Sequence, residues 1–417
     1  MTILVRKAII KDINSPHHNK LCDILIEDGI ITNIATNIKN AVDQTIEFEH
    51  QVVSPGWLDT FTIGTDPGYE EKDTLDSLSS SASKGGYTHV FLSPNTKPVV
   101  QNKTSIEYIK KHTLTFPVIF HPIGAITKNT EGKELTEMFE MQQSGAIAFS
   151  DGIKPIQSAG LMIKSLQYVK AFNGVIIQIP EELSISSNGQ MNEGITSTQI
   201  GLKGKNKIAE SIMVSRDLEL VEYSHSRLHL TGITTIDSIN SISNSKDKNV
   251  DVTCSVTPQH LFFSDRDLLN YDTNLKMSPP LRSEEERITL LEAVKQGKVD
   301  LIATHHTPQH IDKKLCEFEY AGEGMLCLES AFGMLGQLEI PLDIILQMIC
   351  FNPRKIFNLK SIISVGEKAD LTIFNADHEY NFTEENIKSK SSNTPLLGKT
   401  LKGFALATIL GDKINVN

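Results

Sequence analysis

The strongest constraint in this sequence is an alternation. Short apolar, β-branched runs recur at Val90–Leu92, Val118–Phe120, Ala146–Phe149, Val175–Ile179, Leu228–Leu230, Val250–Val256 and Leu301–Ala303. Longer stretches separate them. Two of these, Lys205–Tyr223 and Ser283–Gln296, carry apolar residues at helical spacing with charge on the other face. Strand–helix alternation kept up over about 300 residues predicts an α/β fold of the (β/α)8 TIM-barrel type. A doubly wound sheet is the alternative. No GxGxxG follows a strand and no GxxxxGK[ST] occurs, so the common nucleotide-binding fingerprints are missing.

Both ends of the chain break this pattern in the same way. Ile3–Val5, Ala8–Ile10, Cys22–Ile26 and Ile30–Ile34 read as strands punctuated by Asn14-Ser15-Pro16 and Glu27-Asp28-Gly29. Leu371–Phe374, Ala405–Leu410 and Ile414–Val416 read likewise. The two ends are expected to pack together as one small β domain (1–54 with 360–417) beside a barrel domain (55–359). The serine-rich stretch Ser77–Ser83 is expected to be a solvated helix, and Glu70–Asp73 a solvated helix start.

Charge and cysteine usage exclude several functions. Forty Lys and Arg against 51 Asp and Glu leave a net charge of −11, which argues against a nucleic-acid binder. The five cysteines show no CxxC spacing, so neither a disulfide framework nor a thiolate zinc site is expected. With no signal-peptide pattern and no long apolar run, a cytoplasmic protein without membrane contact is the expectation. No GxSxG elbow occurs. Thirteen histidines are enough for a metal site, so their positions matter more than their number.

In a barrel, chemistry sits at the C-terminal ends of the strands. Around those places stand Pro55-Gly56-Trp57-Leu58-Asp59, Pro94-Asn95-Thr96-Lys97-Pro98-Val99, Val252–Leu261 with Thr257-Pro258-Gln259-His260, Lys276–Arg282 with Pro279-Pro280, Ile302–Pro308, and Ser391–Gly398. In this order, over nearly the whole chain, they resemble dihydroorotase, a cyclic amidohydrolase of the metal-dependent amidohydrolase superfamily, and most of all the type that pairs with aspartate transcarbamoylase in pyrimidine synthesis. The resemblance implies a distorted (β/α)8 barrel with a β-sandwich built from both chain ends.

It also implies a site, and there the sequence departs. The family's first-strand motif is Asp-x-His-x-His; here Asp59 is followed by Phe61 and Ile63 at the histidine positions. The carboxylate-holding arginine is Thr65, the next metal histidine is Gln178, and the second histidine of His-x-x-His is Gly232, with His229 kept. Asp151 before Gly152 stands at the Asp-Asp-Gly run, and the catalytic aspartate is His305. Of the substrate contacts, Asn95 is kept, one asparagine is Ser278 and one histidine is Gln309. Asn95 and Arg282 are the candidate substrate-binding residues that survive, with turn and loop-anchoring roles as the plainer readings.

Amidohydrolysis needs a metal to acidify water and a base beside it. Phe61, Ile63, Gln178 and Gly232 cannot bind zinc in the family manner, so no metal cofactor and no catalytic residue are expected. If a metal is bound after all, Asp59, Asp151 and His305 are its ligands; the favoured reading is that His305 fills the mouth and hydrogen-bonds to Asp59 or Asp151. His229 is expected to be satisfied by neighbours, His17-His18 to be solvated, and His260 to support a loop. Three functions follow: an inactive, oligomeric dihydroorotase homologue that is a structural partner of the aspartate transcarbamoylase catalytic chain; an active dihydroorotase with relocated zinc; or a non-catalytic small-molecule sensor.

Overall fold

A computed structural model describes all residues, 1–417. The N-terminal strands are β1 (Thr2–Ile10), β2 (Leu21–Glu27), β3 (Ile30–Ala35), β4 (Gln44–Ile46) and β5 (Val52–Pro55). The barrel strands follow: β6 (Trp57–Thr62), β7 (Tyr87–Leu92), β8 (Ile119–Gly124), β9 (Ala148–Phe149) and β10 (Val175–Gln178). A small ribbon, β11 (Met191–Asn192) and β12 (Gly204–Lys205), interrupts them before β13 (Arg227–Leu230), β14 (Val252–Val256) and β15 (Leu301–Ile302). The chain ends in β16 (Asp370–Asn381), β17 (Thr400–Leu410) and β18 (Lys413–Val416).

Strands β6 to β10 and β13 to β15 form one parallel eight-stranded sheet in chain order. A parallel bridge between Thr62 and His306, with the Ile63 amide donating to the His306 carbonyl at 3.0 Å, brings its edges together into a nearly closed barrel. Each barrel strand is followed by a helix: Leu75–Lys84, Lys103–His112, Met138–Gln143, Ala159–Lys170, Ile208–Ser224, Ile236–Asp247, Glu284–Lys295 and Ala331–Gln337. Alternation divides each strand between two cores. Val90, Leu92, Leu228, Leu230 and Val256 pack outward against the helices, while Leu58, Phe61, Phe91, Ile123, Ile177 and Leu301 fill the barrel. This is the expected TIM barrel; β9 and β15, two residues each, mark where it is irregular.

The chain ends share one sheet, in the order β18-β17-β16-β5-β1-β2-β3 with β4 on β1. Its centre is the antiparallel pairing of β5 with β16, Val53 opposite Ile373. The sheet curls back on itself: the Ile31 amide donates to Glu367 O at 2.9 Å and Gly366 N to Ile31 O at 2.8 Å, joining β3 to the segment that enters β16. Ile3, Ile24, Ile31, Val53, Ile373 and Ile409 lie in its common core. Buried charges join the sheet to the barrel. Asp370 accepts from Arg354 Nη2 at 2.7 Å and Thr88 Oγ1 at 2.6 Å, and lies 3.2 Å from His89 Nε2. His89 Nδ1 in turn meets His121 Nε2 at 2.9 Å. Burial pulls the Asp370 carboxyl upward, but His89, Arg354 and its hydrogen bonds outweigh it and hold the group well below the usual carboxylate range.

Three local expectations are corrected. Pro55–Ile63 does not trail a strand; Trp57–Thr62 is itself the first barrel strand, every residue of it buried. The serine-rich helix forms as Leu75–Lys84, capped by Thr74, but Ser79, Ser81 and Ser83 are buried, because only small side chains fit between the helix and its neighbours. Asp73 is not solvated. It is fully buried, accepts from Ser77 Oγ and from Ser389 Oγ at 2.8 Å, and so ties the turn before the helix to the C-terminal segment. No helix is long and apolar enough to cross a membrane.

Candidate functional site

The C-terminal ends of the barrel strands surround a cavity of about 370 Å³, lined among others by Ile63, Thr65, Lys72, Asn95, Ser278 and Gln309. The chemistry of this mouth follows from what each strand delivers to it.

Strand β6 delivers Asp59 and Phe61. Asp59 is fully buried; it accepts from the Thr304 amide at 2.6 Å and from Thr62 Oγ1. Burial raises its carboxyl to about 6 despite these bonds. The Phe61 ring lies 4.6 Å from the His305 ring. The loop after β15 bends His305 into the left-handed region at φ +45°, and His305 Nε2 meets Thr231 Oγ1 at 2.8 Å. Thr231 accepts from Ser255 Oγ at 2.7 Å. Ser255 lies 3.1 Å from His229 Nε2, and Thr253 Oγ1 lies 2.9 Å from His229 Nδ1. The result is one continuous chain from His229 through Ser255 and Thr231 to His305. Burial lowers both imidazoles to about 3, so the chain is neutral at physiological pH.

Gln178, at the end of β10, is committed at both amide atoms. Its Oε1 accepts from the Ile156 amide at 3.0 Å and its Nε2 donates to Asp217, which Arg216 holds at 2.7 Å. Burial nevertheless raises Asp217 to about 6. Gly232 has φ +70°, and a Cβ there would come within 2.8 Å of His305 Cε1. A histidine at this position would face both obstacles. The backbone and the His305 ring therefore both fit glycine.

Asp151 turns to Thr127, accepting from its amide at 2.8 Å and from its hydroxyl, and burial raises it to about 6. Asp59, Asp151 and His305 thus have separate partners. The structure does not show His305 bonded to either carboxylate, and no three His, Cys, Asp or Glu side chains come together as a metal-binding group. His306 turns away from the mouth: its Nδ1 accepts from the Cys327 and Leu328 amides at 3.0 and 3.1 Å. His310 is exposed. A phenyl ring, an isoleucine, a doubly bonded amide and a glycine supply no donor set for zinc, so the residues at the four implied positions do not fit the metal.

Asn95 bridges backbone, accepting from the Ile153 amide and donating to Asp151 O, each at 3.1 Å. Arg282 is buried in the wall, donating to Thr234 Oγ1 at 2.8 Å and Asn192 Oδ1 at 3.2 Å, 3.5 Å from Glu210. His260 holds its loop through Thr257 Oγ1 at 2.7 Å and Pro279 O at 2.9 Å. His17 and His18 are half-buried rather than fully solvated. Sequence reasoning missed the Thr231–Ser255–Thr253 hydroxyls. The signal for the hydroxyls was present: in an otherwise apolar β14, Thr253 and Ser255 alternate onto the inward face.

Comparison with known proteins agrees with this architecture. A family description, "Dihydro-orotase-like", matches residues 50–238. A dihydroorotase of Thermoanaerobacter sp. is 38% identical over 398 residues, 94% of this chain and 92% of that protein. One from Caldanaerobacter subterraneus subsp. tengcongensis is 37% identical over 420 residues, 99% and 97% of the two chains. Among solved structures, an L-hydantoinase from Arthrobacter aurescens superposes with a TM-score of 0.87 at 22% identity, covering 100% of this chain and 96% of that one, a likeness of fold.

Proposed function

Since this chain belongs to the dihydroorotase family, we propose that it serves de novo pyrimidine biosynthesis as a member without the family's chemistry, acting in the cytoplasm as a structural partner of the aspartate transcarbamoylase catalytic chain. The observation that carries this reading is the mouth itself. Phe61 packs on a neutral His305, and Gln178 and Gly232 are built into the wall. Hydrolysis of a cyclic amide needs a strong Lewis acid and a base beside the attacking water. The position of the base holds an imidazole whose Nε2 is already engaged with Thr231 and whose ring packs on Phe61. The fold around the mouth, by contrast, is intact from end to end, as expected of a chain kept for its surface.

Metal analysis and turnover together test the loss of activity. Protein purified without chelator should hold less than about a tenth of an equivalent of zinc, and should neither hydrolyse dihydroorotate nor cyclise carbamoyl aspartate when zinc is added. Stoichiometric zinc with turnover overturns the reading. Sedimentation with the same organism's transcarbamoylase tests the partner and reports self-association in the same run; separate boundaries at micromolar concentration would refute the partnership.

One observation favours a second reading, an active dihydroorotase with zinc on relocated ligands: the relatives at 38% and 37% identity carry that name. It requires Asp59, Asp151 and His305 to abandon their present hydrogen bonds. The same metal analysis decides between the two.

A further inference from the structure

The chain of side chains inside the barrel has a direction. Hydrogen bonds in series join Thr253, His229, Ser255, Thr231 and His305. The Ser255 and Thr231 hydroxyls bond to no other side chain, so the series has no branch. A hydroxyl has one proton to donate, and one that donates to a neighbour accepts from the other. Burial keeps both imidazoles neutral, and a neutral imidazole has one N–H and one acceptor nitrogen. The direction of a single bond therefore fixes all the others.

That bond is the one between the hydroxyls: Ser255 Oγ donates to Thr231 Oγ1 at 2.7 Å. Toward the mouth, Thr231 then gives its own proton to His305 Nε2 at 2.8 Å. This nitrogen is the acceptor, and the His305 proton sits on Nδ1. Toward the floor, where the strands begin, Ser255 accepts from His229 Nε2 at 3.1 Å, and His229 Nδ1 accepts from Thr253 Oγ1 at 2.9 Å. Thr253 lines a second cavity there, of about 270 Å³, with Arg227, Asp251 and Asp300. At the other end His305 is only 6% exposed, and its Nδ1 has no partner in the protein.

We infer that this series is a tautomer lock: it holds His229 in the Nε2–H form and His305 in the Nδ1–H form, so that His305 offers the barrel mouth a hydrogen-bond donor and no lone pair. Ser255 is the positioning residue, since it places the proton of an imidazole to which it is not bonded. Freeing a lone pair at His305 Nδ1 requires every bond of the series to reverse together. A half-reversed series sets two protons or two lone pairs against each other in the core, where an unmade hydrogen bond costs about 1–3 kcal/mol. A carbonyl or carboxylate oxygen finds a partner at this nitrogen; a metal cation, which needs the lone pair, does not. The inference goes beyond the reading of the chain as non-catalytic and does not depend on it, because a tautomer is measured without ligand or turnover.

Two-bond proton–nitrogen NMR correlation on the full chain with isotope-labelled histidine tests it, because a protonated ring nitrogen resonates far upfield of a bare one. His229→Gln and His305→Gln assign the two rings by loss of their signals. At neutral pH the wild type should show His229 protonated at Nε2 and His305 at Nδ1, each as a single tautomer. In Ser255→Ala, Thr231 loses the donor that fixed it and becomes free to accept from His305. At least about a third of His305 should then take the Nε2–H form, against less than about a tenth in the wild type. A wild-type His305 protonated at Nε2, a mixture of its two forms, or an unchanged His305 in Ser255→Ala overturns the inference. Should Ser255→Ala fail to fold, the wild-type tautomers decide alone.

Discussion

Replacing Gly232 by alanine probes how far the mouth is committed to its present form. At φ +70° an alanine meets the left-handed penalty of about 1–2 kcal/mol. Its Cβ would also lie 2.8 Å from His305 Cε1, so the imidazole must move. It would then give up its hydrogen bond to Thr231, about 1 kcal/mol, and part of its contact with Phe61, about 0.5–1 kcal/mol. The expected destabilisation is therefore about 3 kcal/mol. Trp57, the single tryptophan and fully buried, reports urea unfolding by fluorescence. The design is a cycle of Gly232→Ala, His305→Ala and the double variant. With the ring gone only the backbone penalty remains, so the double variant should be more stable than the sum of the single effects predicts by about 1–2 kcal/mol. A single variant within about 0.5 kcal/mol of wild type, or a strictly additive cycle, would refute the claim that Gly232 and His305 fit one another. If the cycle behaves as expected, Gly232→His alone cannot rebuild a metal ligand.

Arg354→Met should destabilise the protein by about 3–5 kcal/mol at pH 8, because it leaves the buried Asp370 carboxylate without its arginine. In that variant the Asp370 pKa rises from its depressed position, because Arg354 no longer lowers it. A raised acid regains stability on protonation, so the deficit, read by urea unfolding, should shrink as the pH falls toward 5. Asp59 sits at about 6 in the folded protein against about 3.9 unfolded. Its contribution is thus present at low pH and is lost as pH rises from 4 to 6; Asp59→Asn should flatten that slope by about 3 kcal/mol, measured as stability against pH. Ser81 Oγ is buried without a partner, so Ser81→Ala should be neutral or stabilise by up to about 1 kcal/mol, visible as a higher melting temperature.

The fold was legible because its signal is periodic. Runs such as Val175–Ile179 and Leu228–Leu230 are buried on both faces, and burial of that kind leaves an apolar sequence. What was not legible depended on the third dimension. Ser79, Ser81 and Ser83 read as a wet face because serine is polar; their burial is decided by how near the helix lies to its neighbours. Asp73 read as solvated because its partners, Ser389 and Lys390, lie more than three hundred residues away. At the mouth, the residue types were visible and their couplings were not. His305 was expected to meet Asp59 or Asp151, and instead completes a chain of hydroxyls to His229. The left-handed backbone at Gly232 that makes room for it cannot be read from a single glycine.

The pairing of β5 with β16 sets a timetable for synthesis. Val53 leaves the ribosome 320 residues before its partner Ile373. At about 5–20 residues per second, the first strands wait roughly 16–64 s with an open edge, while the whole barrel emerges behind them. The barrel can assemble on its own schedule, but the free edge of β5 stays open until β16, Asp370–Asn381, has been made, when roughly a tenth of the message is left to read. During that wait Ile3, Ile24 and Ile31, which end in the common core, are exposed to any other unpaired strand nearby. A nascent chain of this design is therefore most vulnerable to aggregation at its beginning, and a stop codon shortly before residue 370 would leave a nearly complete barrel carrying a permanently unpaired sheet.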